Sequence, residues 1–155
     1  MSNHNGQFEE HRFTPVTNAM DLSDYVFLIT DNENKFPEYK MTTKTRPDGN
    51  TLMTLVMRQD SLVNIVRRQA FEIYMDVFTA NEINLNFHPE RKMERLNKQL
   101  HAIELCNRHL AAIQLCRKKF HLSMRRIEYC GRKTRDLREV IERWHKSDKD
   151  RYKNI

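Results

Sequence analysis

LVNIVRRQAFEIYMDVFTAN, Leu62 to Asn81, is the stretch on which the fold turns. Its polar positions Arg68, Glu72, Asp76 and Thr79 recur at steps of three and four residues, the period of an α-helix. Val66, Ala70, Phe71, Ile73, Tyr74, Val77, Phe78 and Ala80 then cover most of the remaining circumference. A helix apolar on more than one side is expected at the centre of a bundle, or in a bundle that also packs against another subunit. Asp60 or Ser61 can cap its start, and it is expected to run to about Asn84.

On the C-terminal side, Pro89 is placed to open a third helix at its first position, where no amide donor is lost. Met93, Leu96, Leu100, Ile103, Asn107 and Leu110 continue through Ile113 and Cys116 to Phe120 at helical steps, predicting a long amphipathic helix. Ser123 is the expected cap of a fourth, along which Ile127, Cys130, Thr134, Leu137, Ile141 and Trp144 keep the same period. That helix is expected to end near Lys146, leaving residues 147–155 as a polar tail.

On the N-terminal side, residues 1–20 read as a flexible arm. A short first helix is expected from Asp21 or Ser23, with Tyr25, Leu28 and Ile29 inward, ending before Phe36-Pro37 because the residue before a proline is pushed out of the α region. Between the first two helices, EYKMTTKTRPDGNTLMTLVM carries a hairpin signal. Pro47 pre-sets a turn angle, Gly49 accepts positive φ, and β-branched and apolar residues flank both. The fold class is therefore all-α, an antiparallel four-helix bundle over residues 21–146 with an inserted β-hairpin at 38–58.

The 155 residues, 39% apolar and 31% charged, suit one domain, and only three glycines and four prolines interrupt the helix formers. YVFLI, Tyr25 to Ile29, is the longest apolar run, far short of the ~20 residues of a membrane span. MSNHNGQFEEHRF has neither the basic start nor the apolar centre of a secretory signal, so a soluble, cytoplasmic protein is expected. Cys106, Cys116 and Cys130 lie inside helical patterns and read as buried reduced thiols.

Charge is uneven. Residues 1–57 hold five basic and eight acidic side chains, a balance of −3, whereas 58–155 hold 22 and 13, a balance of +9. The cations concentrate in CRKKFHLSMRRIEYCGRKTR, Cys116 to Arg135. Arg117, Lys118 and Lys119 fall in the last turn of the third helix, where its dipole favours cations. Arg125 and Arg126 fall in the first turn of the fourth, where the dipole favours carboxylates, so a requirement other than helix stability is expected to place them there. Arg132 and Lys133 repeat the same faces seven residues on, with Arg135 nearby. These eight side chains are the candidate phosphate contacts of a nucleic-acid partner, with Tyr129, Phe120 and His121 near enough in sequence to stack on unpaired bases.

Catalytic alternatives are thinner. His101, Cys106, His109, Cys116 and His121 lack metal-ligand spacing, so core thiols and surface imidazoles are the simpler reading, and no cofactor or metal is expected. Arg138 and His145 resemble in spacing the Arg/His pair of HEPN ribonucleases, although Glu139 stands where that family usually has a small polar residue.

The order of features, with Phe36-Pro37, the Leu62–Asn81 helix ending in Ala80-Asn81, Arg91 and Arg95 opening the third helix and Trp144 closing the fourth, resembles a family of small four-helix-bundle proteins. That family includes the accessory variability determinant (Avd) of diversity-generating retroelements and proteins encoded in intervening sequences of ribosomal RNA genes. The resemblance implies a non-catalytic, basic homopentamer that binds a reverse transcriptase and template RNA, or an RNA/DNA hybrid, during mutagenic copying. A protein-binding adaptor of the same family is the alternative.

Overall fold

The computed structural model describes residues 13–30, 39–57, 62–120 and 123–154; side chains of residues 39–44, 51–57 and 120 are outside the description. Its body is four helices, α1 (Thr14–Thr30), α2 (Leu62–Glu82), α3 (Lys92–Phe120) and α4 (Met124–Arg151). They pack as a ring in which α1 touches α2 and α4, and α3 touches α2 and α4. Side-chain pairs fix the directions. Arg95 meets Asp148 and Arg138 meets Asn107, so α3 and α4 are antiparallel. Asp76 meets His101 and Gln69 meets His109, so α2 and α3 are antiparallel too. Phe13 stacks on Trp144 and Tyr25 on Tyr129, which sets α1 against α4.

α1 starts at Thr14, inside the region expected to be an arm. Val16 and Ala19 extend the apolar line of Leu22, Val26 and Ile29 by two turns, and Pro15 sits at the second helical position, where it removes no helical hydrogen bond. Leu28, expected inward, is 72% exposed, because it lies on the opposite face from Val26 and Ile29. At the C-terminal end, Arg67 of α2 donates from Nε to Thr30 Oγ1 at 2.8 Å and from Nη2 to the Thr30 carbonyl at 3.2 Å, tying off an otherwise unpaired helix end. Phe36-Pro37 and the expected caps Asp60 and Ser61 lie outside the described residues.

α2 buries Val63, Val66, Ala70, Ile73, Val77 and Ala80 in the shared core, while Phe71, Met75 and Phe78 form an exposed stripe on its other side. Pro89 opens a 3₁₀ turn, Pro89–Arg91, that leads directly into α3. The core face of α3 is offset from the expected line. Leu96, Gln99, Ala102, Leu105, Cys106, His109, Ile113 and Cys116 are buried, whereas Met93 and Leu100 face out. Two of those core positions are polar and reach across helices: Gln99 Nε2 donates to Asp148 Oδ2 at 2.6 Å, and His109 Nδ1 meets Gln69 Oε1 at 3.1 Å.

α4 buries Ile127, Cys130, Thr134, Leu137, Ile141 and Trp144, the line read from the sequence, and then continues beyond Lys146 to Arg151. Asp148 and Tyr152, expected in a polar tail, are buried. Arg95 holds the Asp148 carboxylate through two bonds of 2.7 and 3.0 Å, donates to the Ile83 carbonyl at 2.7 Å, and lies 5.3 Å over the Trp144 ring. Tyr152 packs with Ile83 and Leu85. These contacts outweigh the tail's polar composition.

Between α1 and α2, β1 (Tyr39–Thr45) and β2 (Thr51–Met57) are paired antiparallel, with Gly49 at φ 86° in the turn. This pairing is separate from the helical body, which alone makes the fold all-α; the reading of 38–58 as an inserted hairpin goes beyond it. Among the described residues no helix is long and apolar enough to cross a membrane.

Candidate nucleic-acid interface

Only Ser123 and two further residues separate the end of α3 from the start of α4, so the two helix ends lie within about 14 Å of each other along the chain. Arg117, Lys118 and Lys119 close α3 and are exposed. Ser123 occupies the N-cap position of α4 without a side-chain hydrogen bond; its carbonyl instead accepts from Arg126 N at 3.1 Å. No acidic residue stands in the first turn, and Arg125 and Arg126 are exposed there. Arg132 and Arg135 are exposed and Lys133 is half-buried, about 10 Å further along the axis. The eight cations named from the sequence thus form one end of the α3–α4 pair.

Three exposed arginines elsewhere pair with neighbouring carboxylates, Arg91 with Glu94 at 2.8 Å, Arg108 with Glu104 at 2.7 Å and Arg68 with Glu72 at 3.9 Å, whereas the exposed Arg46, Arg143 and Arg151 are in no ion pair among the described residues. None of the eight tip cations is in an ion pair among the described residues, although Glu128 is four positions before Arg132. Two have aromatic neighbours instead. Lys133 Nζ lies 5.0 Å from the Tyr129 ring centre and 6.0 Å from that of Tyr25, and Arg132 lies 5.7 Å over Tyr129. The two tyrosines meet edge to face at 4.8 Å. Arg135 folds back along its own helix, its Nη1 3.4 Å from where a Cβ on Gly131 would stand.

Tyr25, which packs partly buried against the core as expected, is also a tip residue, and that role sequence reasoning missed. It comes from α1, about a hundred positions away from Tyr129, and nothing local in the sequence marks that meeting. Its hydroxyl donates to the Arg126 carbonyl at 3.5 Å, and burial, followed by the nearby Cys130, pushes its pKa up, so the phenol stays neutral. Phe120 and His121, the other stacking candidates, lie outside the described side chains. Such a surface can neutralise phosphates and offer the edge of one exposed tyrosine; it has no fixed donor pattern for reading bases.

The other candidates are scattered. Arg138 Nη1 donates to Asn107 Oδ1 at 2.7 Å and His145 Nδ1 meets Gln99 Oε1 at 3.0 Å, two separate sites about 10 Å apart along α4. Burial and then Lys149 lower the His145 pKa. His101 is engaged by Asp76. Burial pushes the thiols of Cys106 and Cys130 up to about 12 and that of Cys116 to about 11, keeping them protonated. Among the described residues no three potential ligands gather around a point that suits a metal ion.

Comparison with known proteins gives no neighbour: no protein-family model, curated protein or solved structure matches the chain at a significant level.

Proposed function

We propose that the protein is a non-catalytic RNA-binding subunit that contacts phosphates through Arg117, Lys118, Lys119, Arg125, Arg126, Arg132, Lys133 and Arg135. The observation that carries this reading is the gathering of eight cations at one end of the α3–α4 pair, none of them with a carboxylate partner among the described residues. Unpaired cations of one sign raise local repulsion and are retained at a cost, which a phosphate backbone would offset.

The resemblance extends the proposal to an accessory subunit that serves a reverse transcriptase and template RNA in a diversity-generating retroelement, in the cytoplasm and as a pentamer. The exposed stripe of Phe71, Met75 and Phe78 supports packing against further subunits, since a row of large apolar side chains on one helix face is unfavourable in water. In this reading residues 38–58 are a hairpin inserted into the bundle. The test is charge reversal. Arg125→Glu, Arg126→Glu, Arg132→Glu and Lys133→Glu together are expected to abolish retention of a single-stranded RNA on a filter, while the paired control Arg68→Glu with Arg108→Glu retains it. Equal retention by the two variants removes the tip from the account.

A further inference from the structure

At the other end of the α3–α4 pair, a groove of about 410 Å³ opens between the two helices. Its floor is Met93, Leu96 and Leu100 from α3, of which Met93 is 62% and Leu100 49% exposed. Lys92 of α3, Lys149 of α4 and Lys153 just beyond it line its edge, and no lining residue is acidic. Lys92 is held in place by donating to the Tyr152 carbonyl, while Lys149 and Lys153 are in no ion pair among the described residues. The volume lies in the range of recognition pockets, and the combination of apolar floor and cationic rim is specific in its demand.

We propose that this groove is a docking site for an acidic amphipathic segment of a partner protein, with apolar side chains on the floor and Asp or Glu against the lysines. Charge complementarity selects that occupant. A second copy of this chain docked groove to groove would bring two sets of lysines face to face, which repels. RNA would satisfy the lysines but would leave Met93 and Leu100 against sugars and phosphates, and the one ring in the lining is the half-buried imidazole of His145, held by Gln99 at 3.0 Å. A peptide helix laid in the groove covers the apolar floor and meets the rim.

Arg126 and Lys149 are separated by roughly 35 Å along α4 at a rise of 1.5 Å per residue. The groove is therefore distinct from the basic tip, and one chain can hold RNA at one end and an acidic protein segment at the other. The inference does not depend on the RNA reading.

The test is fluorescence anisotropy of the full chain with a panel of short labelled peptides carrying leucines on one helical face and glutamates along its edges, in several spacings. At least one member is expected to bind, to weaken roughly tenfold with Lys149→Glu and Lys153→Glu together, and to weaken similarly with Met93→Ser and Leu100→Ser. The tip-reversed variant is expected to bind that peptide as the parent does. Failure of every peptide, indifference to either groove pair, or displacement of the peptide by single-stranded RNA from the tip-reversed variant would overturn the proposal. Circular dichroism of the groove variants confirms that they retain their helices, so a loss of binding is read as a loss of the site.

Discussion

Asp148 keeps only 4% of its side-chain surface, so its charge depends on Arg95, itself 12% exposed, and on Gln99. Removing one member of a buried pair strands the other, which costs about 3–5 kcal/mol. Arg95→Met is therefore expected to lower stability by about that amount in urea unfolding, and Arg95→Met with Asp148→Leu to recover most of it, because two apolar side chains leave no charge behind. His109 makes a prediction of the other kind. Its Nε2 is buried without a hydrogen-bond partner, and burial holds its pKa down to about 4 from the ordinary 6.5. Below pH 6.5 the unfolded chain takes up a proton that the folded chain refuses until about pH 4. Stability is thus full above that window and falls as the pH drops through it, by on the order of 3 kcal/mol. His109→Leu is expected to flatten this acid limb, measured as the urea midpoint against pH. Gln69, half-buried, can turn toward water in that variant.

Among elements, α4 was the most legible in the sequence. Its apolar line from Ile127 to Trp144 has no polar residue larger than Thr134, and Thr134 bonds the Cys130 carbonyl at 2.8 Å within the same helix. α3 was read correctly at Leu96, Ile113 and Cys116 but not at Met93 and Leu100, because Gln99 and His109 look like surface residues in one dimension. Their partners Asp148, His145 and Gln69 are on other helices, and pattern alone cannot supply them. The end of α4 was misread for the same reason, since Asp148 and Tyr152 acquire their burial from Arg95, Ile83 and Leu85. Deleting residues 147–155 is accordingly expected to destabilise the bundle markedly, where a true polar tail would leave the melting temperature unchanged. The first turn of α4 yields a test with opposite signs. Arg125→Glu and Arg126→Glu place carboxylates at the positive end of the dipole and are expected to raise stability by about 1 kcal/mol at low salt while weakening RNA binding. A tip kept only for folding would show no such opposition.

At the scale of the whole molecule, the chain's balance of +9 over residues 58–155 is the ground for expecting a polyanion partner. The eight cations could be named in advance because two helix ends joined by a short link must lie together. The aromatic lining of that tip and the lysine-rimmed groove at the far end were not legible, since each requires helices to be brought side by side. The described helical body carries a cationic cap at one end of the α3–α4 pair and an apolar cleft lined by lysines at the other. The cap is the central claim, and its direct test is the affinity of the full chain for single-stranded RNA over a series of salt concentrations. Each phosphate neutralised contributes a slope of about −0.7 in log affinity against log salt. The account predicts a slope equivalent to several phosphates in the parent, which nearly disappears when Arg125, Arg126, Arg132 and Lys133 are changed to Glu with helicity unchanged. A shallow slope in the parent, or the same slope in both proteins, would contradict it.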